Sequence, residues 1–340
     1  MKKLFFLLSV AMLLIGGCCG NNCNAEELIN YVPADADGVV SVDSARLINL
    51  SHLKDFRKDD KNFDKSWNEF EAELAKFGLK PSDLPSQMMI FFKAEGDMEE
   101  AGILGLTDIT EAKLLKIFDA NKDKVSYTAK TIEGRKAYIV SRKMMEDDKA
   151  VITYIKPNLV LVCDEEKAGE MFKSVGKSTN KALIGLKAKA DPKALITVLY
   201  EKEVKAAQPA QMTPMGPNPM DSLKSAVLAL NLSGKAQRDI NLKGDVVCKD
   251  ATAATQLAGQ LKTLVMVMSM QMAQNPELSK MFTEAIKVEQ KNDNVKLSIS
   301  ISEKLLNDTK AFIKQRSASM GAAPMQAAPI APVAPVKAAK

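Results

Sequence analysis

Five cysteines, one histidine, eighteen methionines and several adjacent carboxylates are the side chains in this 340-residue chain whose types and spacing could do chemistry. His52 is the only histidine, which excludes a His-rich metal site, an HExxH protease and any triad with a spare imidazole. Beside Leu50 and Leu53 in a helix-like stretch, it reads as a packed or surface residue. Gly176-Lys177-Ser178 imitates the end of a phosphate loop, but Met171 stands where the first glycine belongs, and a helix rather than a strand precedes it. Asp119-Ala120-Asn121-Lys122-Asp123 imitates a calcium loop, yet Lys124 replaces the turn glycine and Lys130 the bidentate glutamate. The pairs Glu99-Glu100, Asp147-Asp148 and Glu165-Glu166 could serve a hydrolase; solvated loops and helix N-termini explain them equally, and the sequence singles out none. No catalytic set is assigned and no cofactor is expected.

The methionines form two groups. Met266, Met268, Met270 and Met272 close a long apolar helix, where i, i+2 spacing sends successive side chains to opposite faces, so they cannot converge on one ion. Met212, Met215 and Met220 lie in a Pro-rich loop and are the one candidate trio of soft thioethers for Cu(I). Methionine is otherwise a gap-filler of cores and adaptable surfaces, and no metal site is expected. Of the cysteines, Cys163 and Cys248 alone lie in the body of the chain. They read as small buried hydrophobes, with a disulfide between them as the alternative if their Cα atoms lie within about 7 Å.

Residues 1–17, MKKLFFLLSVAMLLIGG, set two lysines before an apolar run from Leu4 to Ile15, followed by small residues. That is the pattern of an export signal, and the run is shorter than the ~20 residues a spanning helix needs. Ile15-Gly16-Gly17-Cys18 resembles the lipobox of bacterial prolipoproteins. The resemblance implies cleavage before Cys18, lipidation of its thiol and acylation of the freed amine, several chains being needed for a stable anchor. Residues 18–25 would then be a polar tether, with the membrane as partner through the N-terminal lipid. Cys19 rather than Asp follows the lipobox, so the inner-membrane retention signal of some Gram-negative bacteria is absent. Alternatively, Cys23-Asn24-Ala25 is a small-residue cleavage site that releases a soluble protein beginning at Glu26.

The +5 net charge resides largely in the ends. Lys2, Lys3, Lys337 and Lys340 account for four of it, which leaves residues 26–316 one charge from neutral. No basic run interleaved with aromatics appears, so a nucleic-acid partner is not expected. Five times a short β-type run meets Asp, Ser or Thr and then a helical pattern. These junctions are Asp43-Ser44, Asp108–Thr110, Asp164, Asp250 and Ser302, each placed to cap orphan N–H groups. Hairpins are expected around Glu133-Gly134, Pro157-Asn158, Ser233-Gly234-Lys235 and Asn292-Asp293-Asn294. Phe63, Trp67, Phe70, Leu74 and Phe77 make a stripe at helical spacing that reads as core-facing, with Gly78 able to close the helix.

The expected fold is therefore α+β, an antiparallel sheet built from hairpins with helices packed on one face. A first module over 26–178 and a second over 179–316 share the same local grammar, which hints at duplication. A Pro/Met-rich loop spans 208–220, and 317–340 reads as a disordered Ala/Pro-rich tail. These readings add up to an exported, lipid-anchored envelope protein acting as a non-catalytic binding or interaction module. The alternatives are a carrier of a hydrophobic ligand and a soluble secreted hydrolase using carboxylates.

Overall fold

Glu133 and Gly134 both take positive φ, 50° and 75°, which is the two-residue turn geometry whose twist matches that of flanking strands. They join β4 (Val125–Ile132) to β5 (Arg135–Arg142), and Asn292, at φ 54°, helps to do the same between β13 (Ile286–Lys291) and β14 (Asn294–Ile301). The computed structural model describes residues 28–50, 57–58, 61–76, 80–81, 87–93, 101–107, 109–123, 125–143, 145–177, 179–202, 212–213, 216–217, 222–233 and 238–321. The leader with Cys18, the tether, His52, Phe77 and Gly78 lie outside them.

The other strands are β1 (Gly38–Val42), β2 (Met88–Phe92), β3 (Ala101–Leu106), β6 (Met145–Lys156), β7 (Leu159–Asp164), β8 (Ile196–Glu201), β11 (Leu223–Ser233) and β12 (Asp239–Cys248). All pair antiparallel in one twelve-stranded sheet ordered β13-β14-β12-β11-β8-β1-β2-β3-β7-β6-β5-β4. A separate ribbon pairs β9 (Met212–Thr213) with β10 (Gly216–Pro217).

The helices are α1 (Ser44–Ile48), α2 (Lys61–Lys76), α3 (Glu111–Ala120), α4 (Ala168–Ser174), α5 (Lys181–Lys187), α6 (Ala251–Gln271), α7 (Pro276–Ala285) and α8 (Glu303–Gly321). Their starts follow the caps read from sequence: Asp43, Thr110 and Asp250 each accept from a backbone N–H three residues on. Asp164 caps a short 3₁₀ turn (Glu165–Lys167) ahead of α4, and Leu305 N–H donates to Ser302 Oγ in the first turn of α8. Helix α8 runs past Arg316 to Gly321.

The α+β class and the antiparallel hairpin sheet hold. Helices on a single face do not. Strands β3 and β7 are buried on both sides, so their side chains read as near-continuous apolar runs. One face carries Met89, Leu104, Leu161 and Cys163 beneath Phe172 of α4 and Leu183 and Leu186 of α5. The opposite face carries Ile103, Val160, Val162 and Ile152 beneath Leu74 of α2 and Leu114 and Phe118 of α3. In the second half the first face stays covered over β8 and β11, where Leu199 and Val227 join the cluster under α5; beyond them only the opposite face is covered, by Ala253, Ala254 and Ala258 of α6 on Cys248 and Val295.

The two halves meet at β1 and β8, where Val40 pairs with Val198. From that pair the chain repeats itself. Helical residues, a turn, a bend and a second turn lead into β1 over 28–38, and the same succession leads into β8 over 186–196. Leu28 and Val32 are buried in the first, as are Leu186 and Ala190 in the second. Each half then runs through a three-strand meander, a helical crossing and a return beside its third strand: β1-β2-β3 with β7 returning, and β8-β11-β12 with β14 returning. The halves thus share one continuous sheet and one core layer.

Candidate interaction surface

Helix α6 starts as an ordinary packed helix and ends as an uncovered one. Asp250 Oδ1 accepts from Ala253 N–H at 2.7 Å, and the small side chains of Ala253, Ala254 and Ala258 let the first turns lie close on the sheet. Beyond Leu261 the apolar residues outnumber the positions that face the protein. Leu264 is 56% exposed, Met266 60%, Val267 47%, Met268 39% and Met270 63%. Val265 and Ser269 turn inward, toward an open depression of about 390 Å³ also lined by Lys262, Met266, Thr283, Ile286 and Val288. The Ser279 hydroxyl of α7 donates to the Ser269 carbonyl at 3.2 Å, which holds the helix end in place. Scattered exposed hydrophobes need no explanation, but five within seven consecutive residues make a patch.

On the uncovered face of the second half, Lys243, Asp245, Lys287, Glu289, Lys296 and Ser298 are all exposed. They form a charged shelf, with Asp245 opposite Lys296 and Glu289 opposite Lys296 on the next strand. The depression there, about 650 Å³, is bounded by Lys189, Asp191 and Pro192. Alternating signs across the ladder balance locally, as expected of a solvated sheet face.

The described residues hold one tyrosine-rich polar cluster, on α3, β4, β5 and β6. The Tyr138 hydroxyl donates to Glu111, Lys136 Nζ lies 3.1 Å from the same carboxylate, and Lys136 stands over the Tyr138 ring. The Tyr127 hydroxyl donates to Asp119 at 3.0 Å and the Tyr154 hydroxyl to the Ile109 carbonyl at 2.8 Å. The Tyr138 hydrogen bond, then Lys136, holds the Glu111 carboxyl low. Burial, then Glu111, pushes the Tyr138 phenol up, while the Tyr138 and Glu111 bonds push the Lys136 ammonium up. Burial likewise raises Tyr154. Every shift locks a group in the charge state it already has at neutral pH, the opposite of what proton transfer needs. This cluster clasps α3 to the sheet.

A second polar group stands on α2. The Arg57 guanidinium donates to Asp64 at 2.8 Å, Glu71 at 3.2 Å and Asn68 at 2.8 Å, and lies 5.9 Å from the Trp67 ring centre. Trp67 Nε1–H donates to Glu71 at 2.7 Å. The stripe expected on this helix is therefore split. Leu74 is buried and Phe70 packs on the core, but Phe63 and Trp67 are half-buried and Trp67 uses its polar edge. Glu71, one turn further along α2, is its hydrogen-bond partner.

The cysteines of the body are both free thiols and both buried. Cys163 packs with Phe172 and Ala168 on one face and Cys248 with Ala254 on the other, so the disulfide considered from sequence is not formed. Burial pushes the Cys163 thiol up to about 12, and burial with nearby Asp293 and Asp250 raises Cys248. Neither is a thiolate nucleophile.

Of the copper candidates, Met212 sits on the two-residue strand β9 opposite Pro217, while Met215 and Met220 lie outside the described residues. Among the described residues no three His, Cys, Asp or Glu side chains come together as a metal site. Glu165 pairs with Lys149 at 3.3 Å, and Gly176 takes φ 73° in a turn beneath the Tyr31 ring rather than in a phosphate loop. Sequence reasoning noted the methionines of α6 but not that Leu264 and Val267 join them at the surface. Apolar content was the available signal; exposure was not. No family model, curated protein or solved structure matches the chain.

Proposed function

We propose that the chain is an exported, lipid-anchored envelope protein whose body is a non-catalytic interaction module. The observation that carries the second part is the exposed apolar end of α6, a surface whose contact with water is unfavourable and which a binding event would cover. The first part is supported by the leader and by Ile15-Gly16-Gly17-Cys18. The shifted groups of the body are held in fixed charge states, which suits a scaffold. The test is the intact mass and detergent-phase partition of the exported protein. A mass showing a lipidated N-terminal Cys18, with Cys18→Ser moving the protein to the aqueous phase, is the expected result. A wild type that begins at Glu26 and partitions into water overturns the anchor.

A second reading, a carrier of a hydrophobic ligand, is favoured by one observation. Val40, Ile196, Val198, Leu228 and Leu230 line the same face of the central strands as α2, α3 and α6 and stay only half-buried, between the α2–α3 and α6–α7 groups. Saturable binding of a fluorescent fatty acid, weakened by Val198→Asp, would support it. Binding that never saturates would count against it.

A further inference from the structure

A helix end that is apolar around most of its circumference needs a surrounding that covers it from several directions at once. At 100° per residue, Met266, Met270, Val267, Leu264 and Met268 fan over an arc of roughly 200°, bounded along the chain by exposed Thr263 and Gln271; Met266 edges the depression, and Val265 and Ser269 face the protein. A flat protein partner covers one side of such a helix; the boundary between lipid headgroups and acyl chains covers the whole arc. Charge agrees with this. From Ala251 to Pro276 the chain carries no carboxylate and a single cation, Lys262, which stands beside the depression and off the arc, so no charge on the arc must be stripped of water. The outward residues of the first turns, Thr255, Gln256, Gly259 and Gln260, are polar or small, so the apolar arc ends where the helix lies beside the sheet.

We infer that the exposed end of α6 dips into the membrane surface that anchors the chain, as a second contact beside the N-terminal lipid. This rests on the anchor proposed above. Residues 18–28 reach at most ~36 Å when extended. The exposed end of α6 lies against β13, five strand spacings or ~24 Å from β1, so a tether of that length can bring it to the bilayer. None of the described helices is long and apolar enough to cross a membrane, so the contact is interfacial. With the body held on the surface by lipid and by helix, the charged shelf and the opposite sheet edge take a fixed orientation to the bilayer.

The test places a reporter on the arc. Full-length Val267→Trp in a Trp67→Phe background is exported, purified and reconstituted in phosphatidylcholine vesicles with or without bromine on the acyl chains. Immersion predicts that brominated lipid quenches the emission by ~twofold or more, and that adding Met270→Glu abolishes most of that quenching, because a carboxylate is costly at this depth. If Trp67→Phe lowers the melting temperature, Val267→Trp with Trp67 kept is compared with wild type for the same difference. Unquenched emission overturns the inference. So does a dimer, seen by sedimentation without lipid and lost in Val267→Glu, since a second copy is then the occupant. Intact mass separates this outcome from failure of the anchor. A lipidated but unquenched protein leaves the anchor standing, and a quenched protein beginning at Glu26 leaves only the helix contact.

Discussion

The side-chain amide of Asn180 stands 2.9 Å from the carbonyl oxygen of Ala36, across 144 residues of sequence. The same Nδ2 also lies 3.2 Å from the carbonyls of Pro33 and Ala34, while Oδ1 accepts from Leu183 N–H and caps α5. One buried side chain thus starts the second half of the fold and ties it to the turn that starts the first.

Asn180→Ala should therefore cost more than a surface cap. It removes the cap, typically ~1 kcal/mol, and leaves buried carbonyls short of a donor, ~1–3 kcal/mol. A loss of about 2–4 kcal/mol by urea denaturation is expected. Asn180→Asp keeps the cap acceptor but sets a carboxylate against three carbonyls, and should be no better than Ala. A cost below ~1 kcal/mol for either would show that the tie contributes little.

Gly102 has no room for a side chain. A Cβ there would meet the Phe91 ring at 2.2 Å, and Phe91, itself only 2% exposed, cannot swing away. The ring lies over the glycine of the neighbouring strand, an arrangement repeated where Phe92 covers Gly38. Gly102→Ala should destabilise by ~1–3 kcal/mol through overpacking. The double variant with Phe91→Leu should recover part of it, and a melting temperature unchanged by Gly102→Ala would contradict the geometry.

Glu111 makes stability depend on acid. Its folded pKa is depressed, so its contribution is fully present above the unfolded value of ~4.3 and is lost as pH falls through the lower folded value. With the carboxylate 42% exposed, screening limits the effect to about 1 kcal/mol or less. Wild type should lose more stability than Glu111→Gln on acidification below about pH 4.3, read from urea midpoints. Tyr138→Phe removes the first cause of the shift and should move the Glu111 carboxyl titration upward by NMR. Parallel acid curves for wild type and Glu111→Gln would refute the coupling. Lys136 works in the other direction: its raised pKa stabilises below ~10.4 and that contribution fades as pH climbs through the folded value.

Cys163 should be silent to thiol reagents in the folded protein. It is fully buried, and its pKa near 12 leaves almost no thiolate at neutral pH. Peptide mapping after a short alkylation pulse should find it unmodified until denaturant is added, with Cys248 behaving alike. Rapid native labelling of Cys163 would mean that β7 opens locally.

Local chemistry was legible in the residues. Glu133-Gly134 adopts the φ > 0 turn it needs, and Asp43, Thr110 and Asp250 cap the helices they precede, because both effects act within three or four residues of chain. The stripe on α2 was legible as a pattern but not as a burial. Leu74 is covered and Trp67 is half-open, since where a sheet ends under a helix is not written in the helix. The same holds for α6, whose methionines were visible while their exposure depended on how far the helix overshoots its three buried alanines.

Alternation in Val295–Ile301 marked a half-buried strand, whereas Ile103-Leu104 and Val160-Leu161 alternate with nothing because both sides are covered. The antiparallel hairpins and their caps could be derived from sequence alone. The pairing of Val40 with Val198, which turns two repeats into one sheet, and the second helical layer could not. Both depend on which distant apolar faces meet, and only the folded packing decides that.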